Sequence, residues 1–350
     1  MSSQSLDDAT LTELVADAAA APSMHNAQPW RFRATRAGRT VTLLADLDRA
    51  LPEEDPATRA LHVGCGAALL NLRVSAAHRG LHAVTTLLPD PSAPAMLATV
   101  RLDHRTDGNT GETGHGDADG GGGGDADGGG DAALAALYPA IRERHTSRYP
   151  FDEQRIPPEI RELLVGAARA EGAEFAFLAS PHLEAVLDLI RDAEGYARED
   201  PAREAEQRSW TRDTRTEAPV DGITDYAMGP RDASARATAR DFLGTAPQPG
   251  RPRVPFEKRP QLALLSTAGD HAVDWLRAGQ ALERMLLTAT LHGVSTAFAT
   301  QPLEWPDLRW LLRDPVHGSG HAQMIVRLGY GPTGPRTPRR PMDQVLTIEP

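Results

Sequence analysis

Ser23, Asn26 and Gln28 crowd into the stretch Pro22-Ser-Met-His-Asn-Ala-Gln-Pro-Trp30. A hydroxyl and two amides supply both hydrogen-bond donors and acceptors. Placed between a helix and a strand, they suit gripping a planar, heteroatom-rich ring by its edge. A self-satisfied turn with Trp30 packed behind it is the other reading, because Ser and Asn are common turn residues. On residue chemistry alone both stand. A second set lies in Arg144-His-Thr-Ser-Arg-Tyr-Pro-Phe151, where Arg144, Thr146 and Arg148 alternate. On an extended segment they share one side. Guanidinium forks match phosphate oxygens bidentately; a solvated, charged strand edge is the plainer alternative. Pro338-Arg-Arg-Pro341 adds a small basic cluster that also reads as a solvated tail.

Other chemistries find little support. Cys65 is the single cysteine, which excludes an intramolecular disulfide and a cysteine metal cluster. Flanked by Gly64 and Gly66, it reads as a small packed residue before it reads as a reactive thiol. The histidines show no HExxH or comparable spacing, so no metal is expected. No glycine-rich phosphate loop follows a strand, so no dedicated dinucleotide domain is expected. No catalytic acid–base pair stands out, and the catalytic residues stay unnamed.

These residues need elements to position them. Thr10 and Glu13 form a capping-box pattern before Leu11, Leu14, Val15 and Ala18, predicting a helix that ends by Pro22. Residues 30–35 and 40–45 predict a hairpin. A helix is expected over 66–79, then strands near 82–88 and 98–102. Pro157-Pro158 opens a helix with Ile160, Leu163, Leu164, Ala167 and Ala168 on one face. Strands are expected at 173–178, 261–267 and 324–328, with a helix over 275–292. The alternation implies a layered α/β or α+β fold.

The whole chain bounds these readings. Its 350 residues, 40% hydrophobic and 24% charged, are a globular composition. A net charge of -11 argues against nucleic acid or an anionic membrane as partner. The acidic N-terminus does not read as a signal peptide, and no run of apolar residues suggests a membrane span. A cytoplasmic protein is expected.

Two halves are expected, 1–103 and 134–350, joined by a Gly/Asp-rich tether over 104–133 that has almost nothing to bury. The tether's Gly-Asp rhythm is similar to calcium-binding β-helix repeats but lacks their recurring large apolar residue. The stretch from Cys65 to Gly80 aligns with that from Ala278 to Gly293, matching Gly66 to Gly279. Together with Glu13-Leu-Val and Glu162-Leu-Leu, this points to an internal duplication. The second half carries an insertion at about 191–255, a lid or a surface excursion.

Ala21-Pro-Ser-Met-His-Asn-Ala-Gln-Pro-Trp30 resembles the A-P-S-x-x-N-x-Q-P-W segment of the FMN-binding nitroreductase superfamily. The Arg144–Phe151 stretch resembles the Arg-Ser-Arg opening of a nitroreductase subunit, with its phenylalanine one place later. The order of segments is similar to the Acg-type branch, in which two nitroreductase-like halves share one chain. The resemblance implies an α+β, nitroreductase-like fold, a single-chain pseudo-dimer with a lid-like insertion. One FMN site is then assembled between the halves, because the second half lacks the Pro-Ser-Asn segment. It implies that Arg144, Thr146, Arg148 and Arg340, or Arg339 in its place, bind phosphate and ribityl. Pro22, Ser23, Met24, Asn26 and Gln28 would line the ring, and Thr300 and Gln301 would face its reactive edge. The implied function is an FMN-dependent oxidoreductase working as a monomer on a small organic substrate, with NAD(P)H as the family's electron donor. A flavin- and oxygen-dependent dehydrogenation suits the same residues. The alternative is a protein that sequesters FMN under its lid.

Overall fold

The Asp7 carboxylate accepts the Thr10 N–H at 2.8 Å and starts the first helix, Asp8–Ala18. Asp7, not Thr10, is therefore the cap, and the Thr10–Glu13 pair lies inside the helix. Leu11, Leu14, Val15 and Ala18 form its buried stripe. The expected hairpin follows: Trp30–Thr35 pairs antiparallel with Thr40–Ala45. Trp30, Phe32 and Ala34 point inward while Arg31 and Arg33 point out, so the register is set by burial. The computed structural model describes residues 6–104, 128–233, 240, 242, 250–313 and 320–350.

The long helix runs Arg59–His78, beginning well before the expected residue 66. The Asp55 carboxylate accepts the Ala60 and Leu61 N–H groups at 3.0 and 2.9 Å and anchors the earlier start. By length and composition this helix could cross a membrane, which the sequence reading missed. It is instead a core helix, buried nearly all round. Strands Leu81–Leu87 and Met96–His104 complete the first half, and its sheet runs, in space, 30–35, 40–45, 96–104, 81–87.

The second half repeats the plan. Helix Pro158–Arg169 is followed by strands Glu174–Phe177 and Gln261–Thr267, helix Ala272–Leu291, and strands Ser295–Phe298 and His321–Gly329. Its sheet order is 174–177, 261–267, 321–329, 295–298, the same succession as in the first half. Leu164 and Ala168 are buried in the Pro158–Arg169 helix, but Leu163 points to solvent. The helices Arg59–His78 and Ala272–Leu291 pack on each other between the two sheets.

Two features break the symmetry. The strand Leu346–Glu349 leaves the second half and pairs parallel with Trp30–Thr35, extending the first sheet. The halves are therefore laced together, and residues 330–345 are carried along the seam. Then, where four residues join the hairpin strands of the first half, residues 178–260 separate their counterparts in the second. This excursion opens with the helix His182–Glu199, whose Val186, Leu187, Ile190 and Ala193 are buried like those of any core helix. That amphipathic start is why the sequence placed the insertion later. Most of the expected tether lies outside the described residues; its end belongs to the helix Gly128–Ala135, which buries Leu134.

Candidate active site

The Ser23–Gln28 segment is bent by its own backbone. His25, Asn26 and Gln28 have φ of 49°, 56° and 53°, left-handed values that non-glycine residues adopt at a cost. The Ser23 hydroxyl holds the bend by accepting the Gln28 N–H at 2.9 Å. Asn26 donates to the Gly222 and Pro338 carbonyls at 3.2 and 3.1 Å. Gln28 donates to the Val220 carbonyl at 2.9 Å and accepts the Arg340 N–H at 2.8 Å. The segment is thus tied to the insertion and to the returning C-terminal chain.

Behind this bend lies a cavity between the halves. Pro22, Ser23, Met24 and Gly64 form one wall; Thr146, Leu282, Ala297 and Thr300 form the other. Ile223 and Phe242 of the insertion close over it.

One pole of the cavity is basic. Arg144, Arg148 and Arg339 all face it. Arg144 is buried, and its Nε and Nη1 have no hydrogen-bond partner among the described residues. Its nearest acid is the buried Glu283, 3.4 Å from Nε. Burial pushes the Glu283 carboxyl up, against the pull of Arg144. Arg339 donates to the Ala19, Ala20 and Ala21 carbonyls and, at 3.1 Å, to the Asn26 amide oxygen. Burial, with Arg144 adjacent, brings its guanidinium down to about 9. Arg148 donates to the Ala227 carbonyl at 3.0 Å, and burial, with Arg240 and Arg251 near, lowers it to about 10. Burial, with Arg144, Arg336 and Arg339 near, holds His145 down to about 4. Depressed cations packed together mark a field that favours an added anion.

Beside Arg148, across the Phe242 ring, runs a chain of paired charges. The His25 Nε2 meets the Glu54 carboxylate, and Arg240 of the insertion bridges Glu54, at 3.0 Å, to Glu304. Burial would raise Glu54, but His25 and Arg240 outweigh it and bring it down to about 2. Burial, reinforced by the Glu54 charge, pushes Glu304 up to about 8. One arginine between two buried carboxyls stabilises one ionised partner more readily than two. Arg59 closes this wall, donating to the Gln323 carbonyl at 2.7 Å.

No family model matches the chain. Among curated proteins, it is 30% identical over 342 residues to "Putative NAD(P)H nitroreductase acg" of Mycobacterium tuberculosis, covering 94% of this chain and 92% of that one. A second "Putative NAD(P)H nitroreductase" of the same organism is 30% identical over 351 residues, covering 97% and 92%. The chain belongs to the Acg-type branch of the nitroreductase superfamily. Among solved structures, the FMN-dependent nitroreductase NfnB from Mycobacterium smegmatis in complex with NADPH is 14% identical, with a TM-score of 0.40 over 62% of this chain and 100% of that one.

For an Acg-type chain, the site residues expected from sequence divide cleanly. Pro22, Ser23, Met24, Asn26, Arg144, Thr146, Arg148, Thr300 and Arg339 come together around the cavity. Gln28, Gln301 and Arg340 do not. Gln28 is fully buried behind the bend, and Gln301 donates to Glu194 at 2.9 Å. Arg340 is spent on Asp46 at 3.0 Å and on the Gln28 and Trp30 carbonyls. Alternation decides between the two arginines: on the extended Pro338–Pro341 run they face opposite ways, and the cavity takes Arg339. Cys65 is packed as expected, its thiol donating to the Pro29 carbonyl at 3.2 Å and pushed up by burial. Sequence reading missed His25, Glu54, Arg59, Arg240 and Glu304. His25 sat in plain view inside the motif. The others reach the cavity from distant segments, and nothing in their local pattern marks them.

Proposed function

We propose that the chain is an FMN-dependent oxidoreductase of nitroreductase type that moves electrons from NAD(P)H to a small organic acceptor, as a single chain in the cytoplasm. The observation that carries this reading is Arg144, buried with two unpaired donor atoms at a pole it shares with Arg148 and Arg339. Arg144 has Glu283 nearby and the Ala20 carbonyl on Nη2, but buried donor atoms left without a hydrogen bond are costly unless an anion completes them. A phosphate monoester dianion supplies that charge, so the residues present fit FMN. Arg144, Thr146, Arg148 and Arg339 would hold the phosphate and ribityl end, with Pro22, Ser23, Met24 and Thr300 along the ring. The bound flavin would supply the hydride chemistry. The chain's own contribution is position and enclosure: Asn26 and Gln28 fix the bend, while Ile223 and Phe242 keep water out. The names of the relatives, NAD(P)H nitroreductases, support a nicotinamide donor.

A second reading, sequestration of FMN, draws on one observation. The insertion's main chain is bonded to Asn26, Gln28 and Arg148, directly over the cavity. Visible absorption of the purified protein, before and after anaerobic NADPH and NADH, separates the two. A flavin spectrum bleached by either donor supports the reductase; one that persists supports storage. A colourless protein that refuses added FMN overturns both.

A further inference from the structure

His25 is placed with more care than a packing residue needs. Its backbone is left-handed at φ 49°, a conformation a histidine keeps only where its surroundings enforce it. Nε2 is engaged by Glu54, and the ring stands edge-on to Phe242 with centroids 5.6 Å apart and planes at 83°. Glu54 is itself fixed by Arg240 at 3.0 Å. The imidazole therefore has a fixed orientation on the cavity wall. Nδ1 has no hydrogen-bond partner among the described residues. A carboxylate on Nε2 keeps that nitrogen a donor, so the exchangeable proton of the imidazolium is the one on Nδ1.

We propose that His25, oriented by Glu54, donates the proton that accompanies hydride transfer to the acceptor oxygen. This rests on the reading of the cavity as an FMN oxidoreductase site. Bound, reduced FMN would supply the hydride that reaches one end of the acceptor. The displaced π pair moves to the acceptor oxygen, and the His25 Nδ1–H bond breaks as the O–H bond forms. Neutral His25, still donating from Nε2 to Glu54, then regains its proton from solvent. Glu54 is a positioning residue, since it acts only through the imidazole.

The test uses the FMN-loaded full chain, native and with His25→Asn, asparagine being among the residues that best tolerate a left-handed backbone. The first readout is binding of 4-chlorophenol, whose phenolate oxygen mimics the charged acceptor oxygen, followed by the change in flavin absorbance. Loss of a charge-assisted hydrogen bond should weaken it about 10- to 100-fold. The second is the ratio of turnover with a quinone to turnover with ferricyanide, which takes electrons and no proton. That ratio should fall about 100-fold. FMN retained at native stoichiometry with both readouts unchanged would reduce His25 to a structural role. If His25→Asn does not hold FMN, Glu54→Gln decides: a lowered ratio supports the proposal and an unchanged one overturns it. Failure of the native protein to take up FMN removes the underlying reading, and is seen before any variant is made.

Discussion

Gly66 and Gly279 touch where the two central helices cross. A Cβ on Gly66 would lie 2.2 Å from the Leu276 carbonyl oxygen, and one on Gly279 would lie 2.1 Å from that of Val63. Each glycine stands at the same place in its half, so the contact lies on the pseudo-twofold of the duplicated chain. The neighbouring Val63 and Gly64 are cavity wall, which makes this crossing the foundation of the site.

Gly279→Ala should therefore destabilise the protein. Alanine gains about 1 kcal/mol of helix propensity over glycine. Overpacking costs about 1–3 kcal/mol even where side chains give way, and here the obstacle is backbone. Urea unfolding should show a lower midpoint, and FMN content should fall with it. A midpoint at or above native would mean the helices separate freely.

Replacing Arg144 and Arg148 together by alanine should abolish FMN retention. Charge-assisted bonds contribute about 1.5–3 kcal/mol each, so the pair is worth roughly 100- to 10,000-fold in Kd. Riboflavin, which has no phosphate, should lose far less. Equal losses for FMN and riboflavin, measured by fluorescence quenching, would place the phosphate elsewhere.

Arg339 and Arg340 should separate by phenotype. Arg339→Ala removes a cavity cation and should weaken FMN binding. Arg340→Ala takes from Asp46 its buried partner and leaves it the half-exposed Arg31 at 2.9 Å, a loss of about 1.5–3 kcal/mol of stability. Calorimetry and FMN titration on the two variants measure both effects. Weaker FMN binding in a folded Arg340→Ala than in Arg339→Ala would reverse the assignment.

Glu304 predicts a pH dependence. Its carboxyl is raised from about 4.5 to about 8 by burial, so the folded state holds a proton that the unfolded state gives up. Its stabilising contribution is complete below the unfolded value and is lost as pH rises through the folded one. Glu304→Gln mimics the protonated form and should gain stability relative to native between pH 5 and pH 8.5 in urea titrations. A difference that stays constant over this range would show that Glu304 ionises normally.

The duplication, the hairpin, the basic segments and the family were legible in the chain because each rests on a local pattern. Alternating burial wrote the hairpin into residues 30–45, and small residues at helical spacing marked Cys65–Gly80 and Ala278–Gly293 as copies. The polar handles of the Pro22–Trp30 motif were visible, but their partners were not. Asn26 and Gln28 spend amide hydrogen bonds on the insertion and the C-terminal chain, which lie far away in sequence.

Sequence alone thus determined which residue types are present and most of the strands and helices of the two halves, since those depend on neighbours along the chain; the strand Leu346–Glu349 and the helix His182–Glu199 escaped it. Only the tertiary structure decided that Arg339 faces the cavity while Arg340 is spent on Asp46, and that His25, Glu54, Arg240 and Glu304 meet on the cavity wall. Those outcomes depend on charge and burial shared across segments that have no common period, and such contacts exist only once the halves have closed on each other.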